Sequence, residues 1–157
     1  MKKTIIVSAL IFCTAYTFAQ KNPFEKFSDM DGVTSVFISK AMLSKNTNTE
    51  FRGLRGDLIK NLSSVLAFGS DDVKKAPKMI SMANKIIKKN NYELLMRVKS
   101  EDNRKVNFFM KGKPENIQEL IMIVDGGKDN GSLVLQLLGN FSMQEVEEIT
   151  TTISGAL

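Results

Sequence analysis

Five lysines, Lys74, Lys78, Lys85, Lys88 and Lys89, fall on one stripe when the chain is wound as a helix at about 100° per residue. No Asp or Glu occurs between Val73 and Tyr92. A basic stripe of this kind can meet an anionic surface such as lipid headgroups, lipopolysaccharide or an acidic protein. The plainer account of the same residues is a solvated face opposite an apolar one, here Met79, Ile80, Ala83, Ile86 and Ile87. A nucleic-acid platform needs exposed aromatics among the cations, and the stripe has none, so nucleic acid is not an expected partner.

Other chemistries are bounded by what the chain lacks. It contains no histidine and a single cysteine, Cys13. The commonest general base and the commonest transition-metal ligand are therefore missing, and so are nucleophilic dyads and triads built on histidine. Carboxylate, lysine and tyrosine chemistry survive, with no diagnostic spacing. The turn at 125–131 offers Asp125, Asp129 and Asn130 as oxygen ligands for calcium. An EF-hand loop requires an oxygen donor at its third position and a bidentate glutamate at its twelfth. Gly127 and Gln136 stand there, so the segment reads as a hairpin turn. Asp29-Met30-Asp31-Gly32 reads as a turn for similar reasons. Nine methionines, among them Met79, Met82, Met96, Met110 and Met122, fall on core-facing positions of several elements, which suits adaptable packing better than a copper site. No catalytic residue, metal site or cofactor is expected.

The N-terminus carries an address. Lys2 and Lys3 precede an apolar run from Ile5 to Phe12 that is too short to span a bilayer, and Thr17-Phe18-Ala19 places small residues where signal peptidase reads them. Residues 1–19 are thus expected to be a signal peptide cleaved before Gln20. Phe12 stands directly before Cys13 where lipidation needs a small residue, so a soluble rather than lipid-anchored product is expected. Cleavage takes away 19 of 157 residues, and with them Lys2, Lys3 and no acid. This leaves 138 residues and lowers the net charge from +5 to +3. That length suits a single domain, residues 20–157, and no second apolar stretch is long enough to cross a membrane.

The elements follow from periodicity. A lead-in with a helical turn at 24–27 precedes a strand over 33–38 and a polar connection over 43–49. The segment 54–66 fits helix or strand, with 62–68 reading as a strand that ends at Gly69. Ser70-Asp71-Asp72 supplies capping oxygens, and a helix is expected from Pro77 to about Asn90, with Asn90-Asn91 free to take a left-handed stop conformation. Alternation then marks strands at 92–98 and 106–111. Nearly continuous apolar runs at 117–124 and 133–138 suggest central strands covered on both faces. Four strands joined by short links must form an antiparallel meander. Ser142-Met143-Gln144-Glu145 is a capping box flanked by Phe141 and Val146 at the staple positions, and it opens a last helix. The expected fold is α+β: an antiparallel sheet of about five strands, with two main helices on one face.

The segments 31–43 (Asp-Gly-Val-Thr-Ser-Val-Phe-Ile-Ser-Lys-Ala-Met-Leu) and 91–99 (Asn-Tyr-Glu-Leu-Leu-Met-Arg-Val-Lys) resemble motifs of the bacterial domain of unknown function 4252. The stretches 117–125 and 133–142, ending in Leu138-Gly139-Asn140-Phe141-Ser142, are similar to its C-terminal part. The resemblance implies a small exported protein of Bacteroidetes-type bacteria, in some cases encoded near envelope sigma factors, and it carries over no catalytic residue. The segment Lys45–Asp57 matches least. The expectation for function is a non-catalytic binding or regulatory module of the cell envelope with an unidentified protein partner. An anionic-lipid or small-ligand binder is the alternative, and a carboxylate-based hydrolase is the least favoured reading.

Overall fold

The two most apolar stretches of the sequence lie side by side at the centre of an antiparallel sheet. The computed structural model describes residues 22–45, 56–101, 103–127 and 130–155. A 3-10 turn, Glu25–Asp29, leads into β1 (Thr34–Ser39), α1 (Lys40–Lys45), α2 (Gly56–Asn61), β2 (Leu62–Ser70) and α3 (Lys75–Lys89). The meander follows as β3 (Glu93–Lys99), β4 (Lys105–Lys113), β5 (Asn116–Asp125) and β6 (Ser132–Phe141), and α4 (Met143–Gly155) closes the chain. The spatial order is β1-β2-β6-β5-β4-β3, with every neighbouring pair antiparallel.

The antiparallel α+β fold and its C-terminal meander agree with the sequence expectation. The sheet has six strands rather than about five. The placement of the helices differs. Across the sheet the register aligns Leu66, Gln136, Ile121 and Phe109 on one face, and Val65, Leu137, Leu120 and Met110 on the other. Met79, Ile80, Ala83, Ile86 and Ile87 of α3 pack on the first face, together with Phe24 and Phe27 from the lead-in. Val146 and Ile149 of α4 pack on the second, with Leu43 of α1 and Ile59 of α2. The two main helices therefore take opposite faces, not one. The cause lies in β5 and β6: strands apolar on both sides must be covered on both sides.

Local chemistry explains the element ends. Asp72 Oδ1 accepts from the Lys74 and Lys75 amides at 2.8 and 2.9 Å, so α3 starts two residues before Pro77. Pro77 falls in the first turn, where its missing N–H would have had no helical acceptor. Asn91 ends the helix with φ of 55°, as expected of a residue that tolerates the left-handed region. The capping box forms in full. The Ser142 amide and hydroxyl donate to Glu145 Oε2 at 2.7 and 2.8 Å, and the Glu145 amide donates back to Ser142 Oγ at 3.3 Å. Phe141 and Val146 are both buried beside it.

Two local readings change. Residues 40–45 form α1, whose last three residues, with Leu43 buried, fall where a polar connection over 43–49 was expected. In β3 a bulge between Leu94 and Met96 interrupts the alternation, so Leu95 packs inward while Leu94 is exposed.

Candidate functional site: the basic face of the long helix

The apolar residues of α3 occupy one side so completely that its lysines have nowhere to go but solvent. Wound at about 100° per residue, Ala76, Met79, Ile80, Ala83, Ile86 and Ile87 centre on the side facing the sheet. Lys74, Lys78, Lys85, Lys88 and Lys89 fall within an arc of about 100° diametrically opposite. All five are exposed, and Ser81 lies in the same arc. The structure thus brings together on one surface every lysine that the sequence singled out.

Their electrostatic surroundings are one-sided. The ion pair beside this helix joins Lys75, outside the arc, to Asp31 at 3.7 Å. Among the described residues, no ion pair joins any of the five to a carboxylate. An open depression of about 450 Å³ runs along the helix flank between Pro77, Ile80, Asn84, Lys85 and Lys88, with Asp125 of β5 on its far wall. It is open to solvent and lined by polar and apolar side chains alike, so it does not enclose a ligand. Lysine is a compact, strongly hydrated point charge, so an array of five favours diffuse attraction to an extended anionic surface over bidentate recognition of one group.

The turn after β5 is a turn. The Gly127 amide donates to Asp125 Oδ1 at 3.1 Å, the Gly126 amide to Ser132 Oγ at 3.3 Å, and Gly127 has φ of 72°. Asp129 lies outside the described residues, as does the N-terminal segment 1–21. No group of three or more His, Cys, Asp or Glu side chains suited to a metal ion occurs among the described residues. Met79, Met110 and Met122 are buried in the core, and Met82 and Met96 are half-buried against it, consistent with packing.

A second polar constellation escaped the sequence reading. Gln136, 1% exposed in the middle of β6, exchanges amide hydrogen bonds with Asn22 at 2.7 and 3.3 Å and donates to Glu119. The Tyr92 hydroxyl donates to the same Glu119 Oε1 at 2.7 Å, and the Lys111 ammonium lies 5.4 Å from the centre of the Tyr92 ring. Burial first, and the hydrogen bond to Glu119 second, push the Tyr92 hydroxyl well above the usual phenol range. A phenol held protonated is a poor general base at neutral pH. The group works as a lock on the lead-in: Asn22 also accepts from the Phe24 amide at 3.0 Å, and Phe24 packs edge-on to Tyr92. The signal was available in Glu119 and Gln136, polar residues within the largely apolar runs of the two central strands.

A family model described as a domain of unknown function (DUF4252) matches residues 25–149. Comparison with curated proteins and with solved structures gave no match. Among the described residues, no helix is long and apolar enough to cross a membrane.

Proposed function

This chain belongs to the domain of unknown function 4252 family, and we propose that it is an exported, non-catalytic binding module that engages an acidic protein of the cell envelope through α3. The observation that carries this reading is the lysine arc: five exposed cations, Lys74, Lys78, Lys85, Lys88 and Lys89, on the side of a helix whose apolar side is spent on the core. Export is supported by the signal-like order of charge, apolar run and small residues before Gln20. A protein partner is favoured over a lipid surface because the arc offers no apolar side chain for insertion between headgroups. Membrane binding would then rest on charge alone, about 1 kcal/mol per lysine near an anionic bilayer and strongly screened by salt.

The test places a photoreactive residue at Ser81, in the centre of the arc, in cells producing the exported chain. The expected result is an adduct with an acidic envelope protein that disappears when Lys78, Lys85 and Lys89 are replaced by Glu, with thermal stability unchanged. Equal adducts from both forms would overturn the reading. Co-sedimentation with phosphatidylglycerol vesicles at physiological salt, lost in the same variant, would favour lipid as the partner instead.

A further inference from the structure

The two edges of the sheet are built differently. At one end β3 carries Glu93, Arg97 and Lys99 and is bent by the bulge at Leu95. Charge and a bulge are the usual devices that stop an edge strand from recruiting another. At the other end β1, Thr-Ser-Val-Phe-Ile-Ser, has no charge, no proline and an unbroken register against β2 from Thr34 to Ser39. Among the described residues, nothing pairs with its outer side. It leaves an apolar side chain exposed on each face, with Phe37 65% exposed and Val36 49%, while Ile38 is half-buried against the core. Phe37 lies across from Leu66 on the α3 face, and Val36 across from Ala67 on the α4 face.

We propose that two copies of this chain pair through β1, antiparallel, about a two-fold axis at Phe37. Symmetry restricts the register. In an antiparallel ladder both members of a pair turn their backbone groups toward each other or both turn them away, so two identical edges must pair even positions with even and odd with odd. Centring on Phe37 sets Phe37 against its copy, Val36 against Ile38 and Ser35 against Ser39. The α3 face then gains an aromatic pair and the α4 face two aliphatic pairs, with no charge anywhere in the ladder.

A second copy is the fitting occupant because this pairing closes. β1 against β1 is isologous and leaves only the charged, bulged β3 edges outermost, whereas β1 against β3 would propagate without end. The axis runs perpendicular to the sheet, so both copies present α3 on the same side. The lysine arcs then form one broader anionic-surface reader, in which the second contact is intramolecular. A ladder of six residues is small for an interface, so the dimer is expected to dissociate on dilution.

Sedimentation over a concentration series tests the pairing. The wild-type chain is expected to pass from monomer to dimer, and Phe37→Lys and Phe37→Glu each to stay monomeric, because like charges would oppose one another across the axis. Mixing the two variants should restore the dimer, which a merely structural role for Phe37 would not produce. In a chain that begins at Gln20, which has no cysteine of its own, Phe37→Cys should crosslink to its copy under mild oxidation while Leu94→Cys, on the β3 edge, should not. A wild-type chain that is monomeric throughout, a dimer that survives Phe37→Lys, or no restoration on mixing would each overturn the proposal.

Discussion

Gln136 shows how a single polar residue can organise one face of this molecule. It is buried on the α3 face of β6 between Leu66 and Ile121, and each of its two amide atoms has a partner. Net gains from such bonds are modest, yet removing one partner strands the others in a dry site. Gln136→Ala should therefore cost about 1–3 kcal/mol in denaturant unfolding, and Tyr92→Phe about 1 kcal/mol, since Glu119 keeps its bond to Gln136. The pH dependence carries a sign. The Tyr92 hydroxyl is raised in the folded chain, so the stabilisation it contributes is complete below the unfolded phenol value of about 10 and is lost as pH rises beyond it. Unfolding measured from pH 8 upward should show a fall in wild type that is shallower in Tyr92→Phe; parallel curves would refute the coupling of Tyr92 to the lock. Neither residue stood out in the sequence because a lone polar residue in a strand reads as an interruption of the apolar pattern. Its partners lie 17 and 114 positions away, beyond any local period.

At the scale of elements, the strongest local signals of the sequence are present in the structure. The capping box at Ser142, the left-handed stop at Asn91 and the meander all rest on interactions within a few residues or between adjacent strands. The side of the sheet taken by α3 or α4 is decided by register and connection, which no helical period encodes, and so the expectation of one shared face failed. The bulge at Leu95 shifted the strand alternation for the same reason: a one-residue slip reverses facing without changing composition. The cap itself is open to measurement. The Ser142 amide holds the Glu145 carboxyl below the ordinary glutamate range, helped by the Ser142 hydroxyl and by Asn61 from the end of α2. A depressed carboxylate contributes stability that is present above its unfolded value of about 4.3 and lost as pH falls through the lower folded value. Ser142→Ala should destabilise the chain by about 1 kcal/mol at neutral pH. Glu145→Gln, which removes the titrating group, should flatten the decline in stability below pH 4.5, and an unchanged acid limb would show that the Glu145 carboxylate carries none of it.

For the whole molecule, the lead-in is part of the core. Phe24 and Phe27 are fully buried against Phe68, Tyr92 and α3, so the α3 face is closed not by the helix alone but by the first residues of the described chain. Asn22 pins that segment to the middle of β6. The expected cleavage before Gln20 leaves only Gln20 and Lys21 ahead of Asn22, which puts the processing site immediately outside the lock. Cleavage there spares every contact of the lead-in, whereas loss of a few residues more would remove the partner of a buried glutamine. Two chains compared by thermal and denaturant unfolding test this. One that begins at Gln20 keeps Asn22 and sets the reference. One that begins at Phe24 should lose about 1–3 kcal/mol, the penalty of an unpaired Gln136. Phe27→Ala sets the scale for the face as a whole, with an expected loss of about 3–5 kcal/mol from the cavity it leaves. Should the chain from Phe24 prove as stable as the chain from Gln20, the lead-in would be held by its aromatic rings alone, and the amide pair between Asn22 and Gln136 would contribute nothing to closing the core.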